Sequence, residues 1–284
     1  MKIYQKTLLS VFIFFFGISL VAHAQLNMPQ ASPSARLAQK VGLTDVTVDY
    51  SRPSMKGRKI FGTLVPYNEV WRTGANAATK LNFSTEVEIG GAKLPAGSYA
   101  LYSIPGKSEW TIILSKNTEL WGAMGYSDAD DVVRFKVKPS KTGKKYETFE
   151  ITFNNMTDNS ADLSMKWETT RVDFKISTEV DPIVMAQIQE QVIDAKTDNP
   201  SLLYSAASYY YNNEKDLDQA YEWITQSVES DPKYWTMHLK AKIELGLDKR
   251  TDALASAEKS AEMAEEANNP DYVRLNERLM KSIK

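Results

Sequence analysis

The chain of 284 residues contains no cysteine and only two histidines. Without cysteine it has no disulfide framework, no thiolate zinc site, no iron–sulfur cluster and no cysteine nucleophile. One histidine, His23, lies in the apolar leader discussed below, which leaves His238 for the remainder of the chain. A Ser-His-Asp triad or a histidine zinc site therefore cannot be built within residues 25–178. His238 lies on a predicted helix, where we expect it to pack.

Other signatures of function are missing as well. The chain has no phosphate-binding loop and no glycine-rich dinucleotide fingerprint, so the sequence predicts no cofactor. Basic residues are not in excess, since 34 Lys and Arg stand against 36 Asp and Glu. This balance argues against nucleic acid as a partner, because nucleic-acid-binding domains carry a strongly basic face. The 43% hydrophobic and 25% charged residues are globular values and exclude a collagen-like or fully disordered chain.

Long hydrophobic runs are scarce, and the one that stands out lies at the N-terminus. Residues 8–22 are apolar, Lys2 and Lys6 precede them, and Ala22-His23-Ala24 matches the small-x-small cleavage pattern. We therefore predict a signal peptide over residues 1–24. The apolar run is shorter than the roughly 20 residues of a spanning helix, which disfavours the alternative of a retained anchor. The sequence thus predicts an exported, periplasmic protein with no membrane span after cleavage.

The first half of the remaining chain has the pattern of strands. Residues 25–36 are polar and contain two prolines, which predicts a flexible lead-in. From residue 37 to 178 the hydrophobic period is two, and Gly90-Gly91 predicts a hairpin turn. The alternating runs lie at 46–50, 81–89, 98–104, 109–115, 132–138, 147–153, 161–167 and 171–177. Eight or nine short strands without interleaved helices indicate an antiparallel β-sandwich or barrel over residues 37–178.

The character of the chain changes near Glu179. Asp181-Pro182 predicts a helix start, and the pattern over residues 182–284 is helical. Breaks are expected near residues 212, 232, 246 and 269. Short breaks between helices imply antiparallel neighbours. The predicted fold class is therefore α+β multidomain, an antiparallel β-sandwich or barrel followed by a C-terminal α-helical bundle.

The helical segment also contains an internal repeat. Ala207 and Ala241 are 34 residues apart, and Ala220 and Ala253 are 33 residues apart. Small residues at these positions allow two helices to cross closely. The spacing resembles that of a tetratricopeptide repeat, whose period is about 34 residues. We therefore predict a tetratricopeptide-like domain over residues 182–284, packed on the sandwich or on the helix at 183–196.

The densest unusual chemistry lies between residues 50 and 80. Arginine presents a fork that binds carboxylate, phosphate or sulfate through two hydrogen bonds, and a tryptophan beside it can stack on a sugar. We predict a ligand-binding cluster at one end of the sandwich, formed by Arg52, Lys56, Arg58, Trp71, Arg72 and Asn76. The alternative is structural. In it, the arginines hold long loops through backbone carbonyls and carboxylates such as Glu69 or Asp49, and Trp71 closes the open end of the core.

The same segment carries the motifs of a known family. These motifs are YSRPS at 50–54, KGR at 56–58, FG at 61–62, PY at 66–67, WRTGAN at 71–76, LPAGSYAL at 94–101, IPG at 104–106, EW at 109–110 and WG at 121–122. Together they resemble the domain-of-unknown-function 2911 family, which consists of secreted proteins chiefly from the Bacteroidota. The resemblance covers roughly residues 30–177 and implies no activity. Asn68 stands where the family pattern has Gly, which alters a turn.

Two further groups have a chemical interpretation beside a structural one. Residues 126–131 hold three carboxylates that could bind calcium, but they lack the Gly and the distal Glu of an EF-hand loop. A solvated acidic turn is the simpler interpretation, and we predict no metal site. Four nearby aromatic residues are expected in the core or on a sheet face, with a sugar platform as the alternative. They are Tyr99, Tyr102, Trp110 and Trp121.

Because no catalytic set is visible, the sequence favours a non-enzymatic periplasmic binding or scaffolding protein. The sandwich is expected to hold an anionic or glycan ligand, and the helical repeats to offer a docking face to a protein partner. The alternative is a carbohydrate- or ester-directed hydrolase or lyase that uses carboxylate, tyrosine and arginine groups. A buried Asp or Glu beside Arg52 and Arg72 in an open pocket would favour the enzyme.

Overall fold

The computed structural model describes residues 28–283, so the predicted signal peptide lies outside the described residues. Within them, two antiparallel sheets precede six helices. The larger sheet contains, in spatial order, β1 (Ser34–Val41), β2 (Thr44–Ser51), β3 (Thr79–Phe83), β6 (Gly97–Ile104), β7 (Trp110–Ser115) and β8 (Asp131–Val137). The smaller sheet contains β5 (Ala92–Leu94), β4 (Val87–Ile89), β10 (Ser160–Thr178) and β9 (Ser140–Asn154).

The two sheets enclose one hydrophobic core. Val48, Leu81 and Ile112 of the larger sheet and Leu163 and Ile176 of the smaller sheet are fully buried in the same cluster. Successive residues of a strand point to opposite faces, so the alternating pattern places the apolar side chains inside and the polar ones outside. The predicted antiparallel sandwich and the α+β fold class are thus confirmed.

The run at 81–89 is not one strand, as its pattern suggested. β3 belongs to the larger sheet and β4 to the smaller sheet, and the chain crosses between them at residues 84–86. Side chains fix the crossing, because Asp45 N donates to Ser84 Oγ at 2.8 Å. The turn at Gly90-Gly91 is confirmed. Both glycines have positive φ (61° and 81°), as the tight hairpin turn between β4 and β5 requires.

The strand prediction differs from the structure at two more places. β1 begins at Ser34, inside the predicted lead-in of residues 25–36, and it is an edge strand on which exposed residues alternate with half-buried ones. The hydrophobic alternation of β1 is weak, because Gln39 stands among its half-buried residues and Ala38 among its exposed ones. The runs at 161–167 and 171–177 form the single strand β10, which bulges on both sides of Glu168 instead of turning. Backbone pairing with β9 continues across the polar residues that suggested a break.

The helices begin and end where the sequence indicates. They are α1 (Asp181–Ile188), α2 (Pro200–Asn212), α3 (Leu217–Ser230), α4 (Tyr234–Gly246), α5 (Arg250–Glu266) and α6 (Pro270–Ile283). A π-helical segment, Gln189–Asp194, continues α1. Each predicted break falls between two helices. None of the helices within residues 28–283 is long and apolar enough to span a membrane.

Buried alanines lie between the helices. Ala207, Ala220, Ala241 and Ala253 are all fully buried, and α2 packs on α3 as α4 packs on α5. The α1 segment joins this core through Ile188 and Val192, as expected for the helix at 183–196. Small side chains at these positions allow close approach of the backbones, which is the reason the alanine spacing is visible in the sequence.

The helices follow directly on the end of β10. The Tyr209 hydroxyl of α2 donates to Asp181 Oδ1 at 2.8 Å, and Lys215 forms an ion pair with the same oxygen at 2.8 Å. Burial, together with the Asp181 hydrogen bond, raises the pKa of Tyr209 to about 12.

Trp167, which lines the candidate site described below, lies earlier on β10 than the residues that adjoin the helices. At about 3.3 Å per residue, the strand separates Trp167 from Thr178 by up to about 35 Å.

Candidate functional site

The loop between β2 and β3, residues 52–78, carries all six predicted ligand-binding residues. Backbone hydrogen bonds tie this loop to both sheets. On one side the Met55 N–H donates to the Glu147 carbonyl at 2.8 Å. On the other side Trp71 and Ser103 exchange two backbone hydrogen bonds of 2.8 and 2.9 Å. The loop is therefore a fixed part of one end of the sandwich.

Trp71 is part of the core. Its side chain is only 9% exposed, and its ring stacks on Trp167 with centroids 5.9 Å apart and planes 19° apart. The indole Nε1 donates to the Gly74 carbonyl at 3.1 Å. Edge-on contacts are made with Phe61, Trp110 and Phe149. This position agrees with the structural interpretation of Trp71, and it also places the indole at the cleft described next.

A cleft of about 260 Å³ opens beside Trp71, and we name it the arginine cleft. Its charged groups are Arg58, Arg72 and Glu69, and Trp71 and Trp167 form part of its wall. The remaining lining residues are Ser32, Pro53, Leu64, Val65, Pro66, Val70, Gly74 and Ala75. Among the described residues, Glu69 forms no ion pair with either arginine. The cleft thus presents two guanidinium groups beside an indole wall.

Arg58 is held in place by its own loop. Its Nε donates to the Met55 carbonyl at 2.8 Å, and its Nη2 donates to the Ser54 carbonyl at 2.7 Å. The positive φ of Lys56 and Gly57 (48° and 74°) closes this turn. A guanidinium has five N–H donors, so the two hydrogen bonds orient the group and leave other donors for a ligand.

Arg72 joins the cleft to the loop between β7 and β8. Its Nη1 donates to the Asn76 carbonyl at 2.7 Å. Gly122 packs against the guanidinium so closely that a Cβ there would lie 3.0 Å from Nη1. Burial raises the pKa of the nearby Tyr102, and the charge of Arg72 lowers it in part. Trp121, which precedes Gly122 in this loop, is 65% exposed, so it lies neither in the core nor on a sheet face, the two positions that the sequence predicted. That prediction is wrong for Trp121, because the loop carries it outside both sheets.

The other three predicted residues are not among those that line the arginine cleft. Arg52 Nε donates to the Phe149 carbonyl at 3.1 Å. The backbone N–H of Lys56 donates to Glu147 Oε1 at 2.8 Å, and Asn76 Nδ2 donates to the Ser32 carbonyl at 3.2 Å. Their observed contacts hold the loop to the rest of the sandwich, as in the structural alternative. The structure therefore brings together three of the six: Arg58, Trp71 and Arg72.

The acidic segment at 126–131 directs its carboxylates to separate partners. Asp130 forms an ion pair with Lys116 at 3.6 Å, and Asp131 forms one with Arg134. The Tyr126 hydroxyl donates to Asp131 Oδ2 at 2.7 Å. Burial, assisted by this hydrogen bond, raises the pKa of Tyr126 to about 12. Within residues 28–283, no group of three His, Asp or Glu side chains is arranged to hold a metal ion.

Two titratable groups whose pKa values are shifted by burial lie in the helices and do not line the arginine cleft. His238 Nδ1 is 2.7 Å from Asn276 Oδ1, and burial lowers the pKa of the imidazole. Glu244 is 1% exposed, and burial raises the pKa of its carboxyl group. Glu69, by contrast, is exposed at the mouth of the arginine cleft.

Glu69 and Trp167 were not predicted from the sequence to be site residues. Trp167 is on β10, far from the loop in sequence, and only the packing of the two sheets brings it against Trp71. Glu69 lies in the motif-rich loop between Arg58 and Arg72, and this position in the sequence was the signal that could have identified it. Tyr99, Tyr102 and Trp110 are buried, as expected.

One comparison with known proteins confirms the family resemblance of the N-terminal region. A family model described as "Protein of unknown function (DUF2911)" matches residues 32–176. Comparison with the curated proteins and with the solved structures finds no match. The matched region contains the whole larger sheet, the smaller sheet up to Ile176 and every residue of the arginine cleft. The chain therefore belongs to the DUF2911 family, as the motifs between Tyr50 and Asn76 indicated.

Proposed function

We propose that the protein is an exported, non-enzymatic binding protein whose sandwich holds an anionic saccharide in the arginine cleft. One observation carries this proposal. Two guanidinium groups from separate parts of one loop, Arg58 and Arg72, line a single cleft, and no carboxylate of the described residues pairs with either of them. Such groups match a carboxylate or sulfate through paired hydrogen bonds.

The lining also suits the sugar ring that would carry the anion. The carboxylate of Glu69 can accept hydrogen bonds from sugar hydroxyls, and the wall contains the indoles of Trp71 and Trp167. The exposed Trp121, next to the Gly122 that covers Arg72, adds an aromatic face outside the cleft. A volume of about 260 Å³ is below the roughly 300 Å³ at which pockets for drug-sized ligands begin, so the cleft fits one sugar unit.

The hydrolase or lyase alternative has less support. Acid–base glycoside cleavage uses a pair of carboxyl groups on either side of the scissile bond. Among the described residues that line the arginine cleft, Glu69 is the sole Asp or Glu, and it is exposed. Arg52, whose presence in the pocket would have favoured the enzyme hypothesis, does not line it. A binding role needs no second carboxylate.

A docking role for the helices is our second proposal. The pairs of alanines spaced by 33 or 34 residues are buried between neighbouring helices, as in tetratricopeptide repeats. Two such units plus α6 would offer a face to a protein partner. Retention of a partner by the full chain, and its loss when exposed residues of α2 and α4 are replaced, would test this role.

Isothermal titration calorimetry tests the saccharide proposal. Glucuronate and N-acetylneuraminate serve as anionic probes, and glucose serves as the neutral control. Arg72→Lys keeps the charge but removes the fork, and Arg58→Gln removes the charge. Hydrogen bonds to charged groups are worth about 1.5–3 kcal/mol, so each variant should bind about tenfold to a hundredfold more weakly.

Arg278→Gln is the matched control, because Arg278 is an exposed arginine of α6. It should bind the anionic probes like the unaltered protein. Equal affinity of the three variants would contradict the proposal, and so would the absence of binding of either anionic sugar at millimolar concentration. Thermal unfolding of each variant checks that the sandwich stays folded.

A further inference from the structure

A second cleft is lined in part by Phe61, whose ring contacts Trp71 of the arginine cleft edge-on. Its volume is about 380 Å³, and it is lined by three lysines from three distant segments of the chain. Lys59 lies in the loop after β2, Lys107 in the turn between β6 and β7, and Lys141 at the start of β9. The other lining residues are Phe61, Tyr67, Gly106, Trp110, Pro139, Ser140, Glu168, Thr169 and Thr170. We name it the lysine cleft.

None of these three lysines forms an ion pair with a carboxylate of the described residues, although Glu168 also lines the cleft. A neighbouring lysine on β8 behaves differently, because Lys136 pairs with Glu109 at 2.6 Å. Like charges gathered in a cleft repel one another and raise the local concentration of anions. An anionic ligand would relieve that repulsion.

The backbone of β10 is shaped to line this cleft. In a regular strand, consecutive side chains point to opposite faces. Here Glu168, Thr169 and Thr170 all line one cleft, because the register shifts on both sides of Glu168 and this residue has a φ of 56°. Bulges of this kind re-aim side chains and are common beside functional sites. As a result, two threonines line the same cleft as the three lysines.

We propose that the lysine cleft binds a small molecule or saccharide that bears two or more closely spaced phosphate or sulfate groups. Lysine binds phosphate and sulfate as a compact point charge on a flexible stem, so three lysines can adjust to several closely spaced anionic groups without the fixed fork geometry of arginine. No arginine lines the lysine cleft within the described residues. Three ammonium groups from separate segments match several anionic groups better than one. The hydroxyls of Tyr67, Thr169 and Thr170 supply neutral donors.

Calorimetric titrations at low and at physiological salt test this site. Inositol hexakisphosphate is the phosphate probe and sucrose octasulfate is the sulfate probe. The test variant is the triple replacement Lys59→Gln, Lys107→Gln and Lys141→Gln. The charge-matched control removes three exposed lysines that do not line the cleft: Lys175→Gln, Lys196→Gln and Lys281→Gln.

Each cleft lysine should contribute about tenfold to affinity, so the triple variant should lose binding almost entirely while the control retains it. Binding of one probe alone would support the site and identify the oxyanion. Equal weakening of the cleft variant and the control would show a general charge effect and overturn the proposal. Failure of both probes to bind the unaltered protein would overturn it as well.

Discussion

Replacing Trp71 tests whether the end of the sandwich is built around its indole. Trp71→Phe keeps a ring but leaves the Gly74 carbonyl without its 3.1 Å hydrogen bond, and an unsatisfied buried acceptor costs about 1–3 kcal/mol. Trp71→Ala removes the ring as well, and a buried aromatic truncated to alanine costs about 3–5 kcal/mol. The stacked contact with Trp167 adds about 1 kcal/mol beyond its buried area. We expect losses of about 2 kcal/mol for Phe and about 5 kcal/mol for Ala.

Urea denaturation followed by far-UV circular dichroism measures both losses, since tryptophan fluorescence would change with the substitution itself. Trp223→Phe is the control. Trp223 is a buried tryptophan of α3 that packs on Tyr210 with ring centroids 4.8 Å apart, away from the sandwich. Its replacement should shift the unfolding of the helices and leave that of the sandwich unchanged. A loss below about 0.5 kcal/mol for Trp71→Phe, within the range of ordinary surface changes, would refute the reasoning.

Three further changes have definite outcomes. Gly122→Ala should lower stability by about 1–2 kcal/mol and also weaken ligand binding, because its φ is 82° and its new Cβ would press on Arg72. Gly91→Ala is the control, because its φ is 81°, nothing lies within 4 Å of its new Cβ and it lines neither cleft. It should lower stability alone in the same calorimetric and thermal assays. Burial lowers the pKa of His238, so stability is full above the unfolded value of about 6.5 and is lost as pH falls through the folded pKa. His238→Gln should flatten that part of a urea–pH series. Burial raises the pKa of the Glu244 carboxyl group, so stability is lost as the pH rises above the ordinary value of 4.5. Glu244→Gln should therefore unfold at a higher urea concentration than the unaltered protein at pH 7. An unchanged urea midpoint would contradict this.

The helices were predictable because their signals are local. Asp181-Pro182, the asparagine and proline breaks and the repeated alanines each act within one or two turns, and each falls where the structure needs it. β1 was not predictable from alternation, because the polar Gln39 stands on its half-buried face and Ala38 on its exposed face, which weakens the hydrophobic period. The change of sheet between β3 and β4 was hidden for a different reason. Both strands keep the same period of two while the chain crosses from one sheet to the other.

For the site, residue type was a better guide than residue position. The loop after β2 was identified as unusual, and half of its selected residues line one cleft: Arg58, Trp71 and Arg72. The others point elsewhere, because the side on which each loop residue emerges depends on backbone angles such as the positive φ of Lys56 and Asn76. Trp167 required knowledge of sheet packing. The three lysines of the lysine cleft come from segments that no sequence pattern connects.

The binding and structural interpretations of the arginines are compatible, and the geometry of Arg58 shows why. A flexible arginine loses side-chain entropy when it binds a ligand, and that loss lowers affinity. Arg58 has already lost it on folding, because its Nε and Nη2 are fixed on the carbonyls of Met55 and Ser54. Arg72 is likewise fixed by the Asn76 carbonyl and covered by Gly122. The hydrogen bonds that stabilise the loop therefore also preorganise the remaining guanidinium donors. A substitution that breaks them at Arg58 or Arg72 is expected to weaken ligand binding by more than the loss of one contact with the ligand.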